Sequence, residues 1–261
     1  MDSETLHRIL ARRKAQRHSI CEAEWAARVE LAACYRLVAH YRMTDMIYNH
    51  ISLRVPGTDD QFLINPFGLL YEEVTASSLV KVDQNGQLID DDGLDVNPAG
   101  FVIHSAIHMS RHDVACVMHT HTRAGVAIAA TKHGLLPVSQ HAMRFFNRIA
   151  YHDYEGIALD VDERSRLVAD LGSLPTLVLR NHGLLTTGAS VHAAFENMYY
   201  LEMACQIQTS LAGGAEDWIL PPPAVCERTA QQFERSLDFL EQRDWHALLR
   251  LVERLDPGYR E

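Results

Sequence analysis

DVACVMHTH, residues 113–121, is the stretch on which the fold turns. Its run of valine, alanine, cysteine and methionine is apolar on both faces and too short for a helix, the pattern of a strand buried on both sides. Helical patterns flank it. AGFVIHSAIHMS (99–110) comes before, opened by Asn97 and Pro98 as N-cap and first helical residue; RAGVAIAATKHG (123–134) comes after, with Gly134 placed to end it. A strand of this kind between two helices predicts an α/β fold, a multi-strand sheet covered by helices. Further out, Ala23 to about Tyr41 has helical spacing, and MIYNHISLRV (46–55) and QFLINP (61–66) read as strands joined at Pro56-Gly57. LVKVDQNGQLID (79–90) carries Asn85-Gly86 between two apolar runs, a hairpin signal.

Towards the C-terminus, RIAYHDYEGIAL (148–159) predicts a short strand and a turn at Glu155-Gly156, and residues 164–171 a helix. TLVLR (176–180) is a strand, NHG (181–183) a tight turn, and LLTTG (184–188) follows. Ser190 caps a long helix over 191–212 that Gly213-Gly214 should stop, and after Pro221-Pro222-Pro223 a last helical pattern runs to Leu255. The organisation read from this is a loosely held N-terminal arm or helix over 1–22, one domain over 23–215 and a helical extension over 216–261.

The 261 residues, 47% of them hydrophobic, suffice for one large core or two modest ones. A formal net charge of −10 disfavours nucleic acids and anionic membranes as partners, and no Lys/Arg run offsets it. The first residues hold no apolar signal-peptide core, and no stretch reaches the roughly 18 apolar residues of a membrane span, so a soluble, cytoplasmic protein is expected. The five cysteines are scattered and odd in number, which suggests neither a disulfide framework nor a zinc knuckle.

Fifteen histidines are the compositional oddity. His119 and His121 lie one residue apart on the strand, so their imidazoles leave one face, with Cα atoms about 6.5–7 Å apart, a span two rings can close onto one cation. His182 sits where an apolar strand meets a glycine turn and supplies a possible third ligand. Three imidazoles leave coordination positions open for water or substrate, as a catalytic site requires. The competing readings are that a strand end carries two unrelated histidines and that His182 only bonds its own turn.

NPFGLLYEEVTASSLVKVD (65–83), NPAGFVIHSAIHMSRHDVACVMHTHTRAG (97–125), HGLLPVSQHAM (133–143), IAYHDYEGIAL (149–159) and LVLRNHGLLTTGASVHAAF (177–195) together resemble the class II aldolase/adducin family, in particular its adducin-like branch. The resemblance implies a three-layer α/β/α sandwich around a mostly antiparallel sheet, assembled as a homotetramer with sites near subunit contacts. It also implies one divalent cation, zinc before manganese or iron, held by His119, His121 and His182.

The family's sugar-phosphate aldolases open the helix before H-x-H with Ser-Ser-Glu, the serines binding phosphate and the glutamate acting as acid/base. Pro98, Ala99 and Gly100 stand there in this sequence, and glycine cannot carry a proton. The family's phosphate loop keeps Asn49 and Ser52 but places Tyr48 where glycine is usual, and the second loop keeps Gly68 beside Phe67. Asn49 and Gly68 are therefore candidate substrate-binding residues in a pocket reshaped for a more apolar or aromatic ligand, or Tyr48 and Phe67 pack in a core. His104 and His108 share a helix face with Gly100, and His104 reads equally as base, hydrogen-bond support or core histidine. Arg144 could clamp a carboxylate with His141 as proton carrier, and Tyr151 could serve this site or a neighbouring subunit's; a salt-bridged surface loop is the alternative.

The resulting expectation is a metal-dependent lyase, by retro-aldol cleavage or decarboxylation, on a small carboxylated or oxygenated substrate that is not a sugar phosphate. Some relatives with this helix start resemble pyridine-dicarboxylate decarboxylases and others non-haem iron oxygenases of phenolic acids. The other class of function is a non-catalytic adducin-like interaction module.

Overall fold

The structure, a computed structural model, describes residues 2–89, 93–156 and 163–261. In chain order the helices are α1 (Ser3–Ala15), α2 (Glu22–His40), α3 (Pro98–Ser110), α4 (Arg123–Ala129), α5 (Gln140–Met143), α6 (Glu163–Leu171), α7 (Val191–Ser210) and α8 (Pro223–Leu255). The strands are β1 (His50–Arg54), β2 (Gln61–Ile64), β3 (Val80–Asp83), β4 (Cys116–Thr120), β5 (Ile149–His152), β6 (Thr176–Leu179) and β7 (Gly183–Gly188). They form one seven-stranded sheet in the order β3-β2-β1-β4-β7-β6-β5. Every neighbouring pair is antiparallel except β5 and β6, which run parallel with α6 as the crossover.

Strand alternation sorts the core into layers. Cys116 and Met118 of β4, Val178 of β6 and Leu184 of β7 point into a cluster with α2, α4, α7 and α8. Their neighbours Val117, Leu177, Leu179 and Leu185 point the other way, against Ile103 and Ile107 of α3 and Leu167 and Leu171 of α6. The expected α/β/α sandwich is therefore present, with β4 as the both-sided buried strand at its centre.

Several elements differ from expectation. The N-terminal segment is helical and docked: Arg13 of α1 is buried, its Nε donating to Ser77 O at 2.8 Å and its Nη2 to Leu79 O at 2.6 Å. The C-terminal segment joins the main core through Trp245, Val252 and Tyr259. Residues 46–49 precede β1 as a loop, and α4 ends at Ala129, before Gly134. Only an isolated Val82–Leu88 bridge forms at the Asn85-Gly86 turn, whose expected second strand runs to Asp90, outside the described residues. The turn at Glu155-Gly156 leads into residues 157–162, which also lie outside them. Among the described residues no helix is long and apolar enough to cross a membrane.

Candidate metal centre

His119 is the penultimate residue of β4, on the α3-facing side of the sheet, and His121 follows in the loop before α4. The third histidine arrives through the turn between β6 and β7, where Asn181 takes a left-handed φ of 57° and the His182 amide donates to Leu179 O at 3.0 Å. Gly183 lets this turn lie against β4: a Cβ there would sit 2.3 Å from Thr120 O, inside any allowed contact. The result is convergence. The Nε2 atoms of His119 and His121 are 2.7 Å apart, and those of His121 and His182 3.0 Å.

Two of the opposite ring nitrogens are engaged. His119 Nδ1 lies 3.0 Å from Leu184 O, and because a carbonyl only accepts, that nitrogen carries the hydrogen. His121 Nδ1 lies 3.0 Å from Asp45 Oδ2, which sets its hydrogen in the same way. Both Nε2 atoms are thereby left as bare lone pairs facing one another, an arrangement a cation relieves. This donor set fits a divalent ion of the zinc type, and carbonyl or carboxylate partners of this kind orient metal-binding imidazoles. Burial holds His119 well below the usual imidazole range, with His182, His121 and other neighbouring rings adding to it, and brings His182 down to about 4. Both are neutral and ready to ligate near pH 7.

Asp45 and Asn49 are brought to the site by one loop. Asn49 Oδ1 accepts from the Asp45 amide at 2.6 Å, while Asn49 Nδ2 is buried with no hydrogen-bond partner among the described residues. Tyr48 and Phe67 face each other with ring centroids 6.3 Å apart and are 48% and 40% exposed, so they form an aromatic surface pair and do not pack in a core. Gly68, at φ 108°, has open space where a side chain would project.

Behind His119 a second group of imidazoles fills the interface between sheet and α3. His50 lies opposite His119 in the β1–β4 register, its ring stacked on that of His119 at 5.1 Å. His50 Nδ1 meets His104 Nε2 at 2.8 Å, His104 Nδ1 meets Ser52 Oγ at 2.6 Å, and Ser52 Oγ meets His108 Nε2 at 2.7 Å. Burial lowers all three histidines, His108 to about 3. His104 is thus joined to the metal histidines through His50.

The remaining candidates lie elsewhere in the chain. Arg144 is buried, pairing with Glu196 at 2.9 Å and with Asn197 Oδ1 at 3.1 Å and lying over Tyr200, so its guanidinium is engaged by α7. The His141 ring lies against that of Tyr200 as well, tilted by 36° with centroids 5.6 Å apart. Tyr151 OH accepts from the Leu135 amide at 2.9 Å beneath Arg180, and burial raises its pKa. Asp45 and His50 escape a reading of the sequence because their partners are 76 and 54 residues away. The only local signal is that both flank Asn49.

Residues 29–209 match the class II aldolase and adducin N-terminal domain. The chain belongs to this family. An aldolase II superfamily protein from Pseudomonas syringae has the same fold at a TM-score of 0.89 with 52% identity, covering 94% of this chain and 99% of that one. A Pseudomonas aeruginosa protein named for the class 2 aldolases is 48% identical over 246 residues, 93% of this chain and 95% of its own length. Rat α-adducin is 46% identical over 208 residues, 77% of this chain but 28% of the adducin. Divalent-metal use is typical of class II aldolases, and the His119, His121 and His182 triad is a site that could hold such an ion.

Proposed function

We propose that this chain is a metal-dependent lyase acting on a small carboxylated or oxygenated substrate other than a sugar phosphate, by retro-aldol cleavage or decarboxylation. The observation that carries the reading is the convergence of three Nε2 atoms, two of them with their tautomer set from behind by Leu184 O and Asp45. A divalent cation there, zinc before manganese or iron, would supply Lewis acidity toward a carbonyl or phenolate oxygen of the ligand. The chain's own residues hold and orient. His119, His121 and His182 form the cradle, Asn49 Nδ2 offers a buried donor to a ligand oxygen, and Gly68 leaves its loop open. The exposed Tyr48 and Phe67 rings suit a planar or apolar ligand better than a phosphate. His104 acts in this reading through His50. A homotetramer with sites near subunit contacts and a cytoplasmic location belong to the same proposal, and His141 and Tyr151 would act only toward a neighbouring copy.

The test is metal analysis of protein purified without added metal, then aerobic and anaerobic trials on phenolic, pyridine and hydroxy-keto acids. Zinc or manganese with release of aldehyde or carbon dioxide is the expected result. Iron with oxygen consumption replaces the lyase with an oxygenase. Sub-stoichiometric metal in both the wild type and His119→Ala overturns the metal centre. The similarity to α-adducin favours a second reading, a non-catalytic interaction module, which predicts metal and ligand binding without turnover.

A further inference from the structure

Gly100, in the first turn of α3, has no room for a side chain. A Cβ built on it would lie 2.4 Å from His50 Cδ2 and 2.7 Å from both Cγ and Nε2. Any side chain at position 100 would start inside the His50 imidazole, so positions 50 and 100 compete for one volume, and the imidazole holds it. The same ring is stacked on the ligand histidine His119 at 5.1 Å, and its electrostatic neighbours include His121 and His182, so this volume adjoins the metal cradle.

The ring is fixed from behind. His50 Nδ1 is taken by His104, and His104 is held by Ser52, which also bonds His108. Each link carries one hydrogen, so the hydrogens along the chain point all one way or all the other. Among the described residues His50 Nε2 has no hydrogen-bond partner, and it accepts in one sense of the chain and donates in the other. Buried among other imidazoles, the ring brings a polar edge without a negative charge.

Building on the lyase reading, we infer that His50, seated in the volume that a position-100 side chain would need, is the ligand-facing group of this site and admits carboxylate ligands there. A carboxylate in that volume, as the resemblance places in the sugar aldolases, would repel an anionic ligand at close range. His104, Ser52 and His108 are positioning residues for it.

Two measurements test this. The first is a double-mutant cycle of His50→Ala and Gly100→Ala followed by chemical denaturation of metal-free protein. Gly100→Ala should destabilise or prevent folding alone and be tolerated once His50 is alanine; equal cost in both backgrounds overturns the shared volume. The second is calorimetric titration of oxalate into metal-loaded protein, with metal content measured alongside. His50→Ala, and more strongly His50→Ala/Gly100→Glu, should keep the metal and bind oxalate at least tenfold more weakly. His104→Ala should fall between, with His104→Gln restoring part of the loss. Undiminished oxalate binding in the metal-loaded His50 variants overturns the inference. A wild type without metal would instead overturn the lyase reading, and the cycle would still decide whether His50 and Gly100 share a volume.

Discussion

At the scale of single residues, the site depends on which nitrogen of each imidazole carries hydrogen. Leu184 O decides this for His119 and Asp45 for His121, and the two cases differ in that only Asp45 can be altered by substitution. An asparagine there keeps the shape but loses the charged acceptor that holds the His121 hydrogen on Nδ1 and orients the ring. Asp45→Asn is expected to weaken divalent-metal affinity about 10- to 100-fold, read by competition with a chromogenic chelator, while saturating metal still fills one site per chain. Affinity equal to wild type would remove Asp45 from the site. Asp45 was illegible in the sequence because an aspartate before an Asn-His pair has no periodicity or spacing to mark it. His119 and His121 were legible because β-strand alternation alone puts both on one face.

At the scale of elements, what could be read was whatever depends on local pattern. The both-sided apolar run became β4, helical spacing became α2 and α7, and Ser190 accepts from the Ala193 amide at 3.1 Å as the expected N-cap. Ser190→Ala should cost about 1 kcal/mol in urea denaturation without touching metal content. What depends on a distant partner was not legible. The parallel pairing of β5 with β6 needs the α6 crossover, and the ion-pair partner of Arg144 is Glu196, 52 residues away on α7. The turn carrying His182 falls between these cases: NHG announces a turn, but not that Gly183 must touch β4. Gly183→Ala drives a Cβ into Thr120 O and should push His182 away from His121. The expected outcome is a loss of about 1–3 kcal/mol in stability together with weakened metal binding, and full stability with full metal content would refute this account of the turn.

At the scale of the whole molecule, the wall between the sheet and α3 is built from imidazoles that must stay neutral. His50, His104, His108 and His119 are buried, and desolvation holds all four below the ordinary value near 6.5. The unfolded chain takes up protons on these histidines as pH falls through about 6.5, whereas the folded chain does not until lower pH, near 3 for His108. Between those limits the unfolded state binds more protons, so folding stability rises with pH and is lost on acidification. Each such histidine adds a slope approaching about 1.4 kcal/mol per pH unit once its unfolded form is protonated. Metal-free protein should therefore lose stability steeply from pH 6.5 to 5, a window above the range in which paired carboxylates such as Glu24 and Asp113 begin to titrate. Urea midpoints at several pH values check this, with His108→Gln expected to flatten the slope by up to one histidine's share. A bound cation should add to the dependence, since protons and metal compete for the same Nε2 lone pairs. A urea midpoint that stays level from pH 7 to 5 in chelated protein would mean that these rings already carry protons in the folded state, and the neutral histidine wall behind the metal cradle would have to be abandoned.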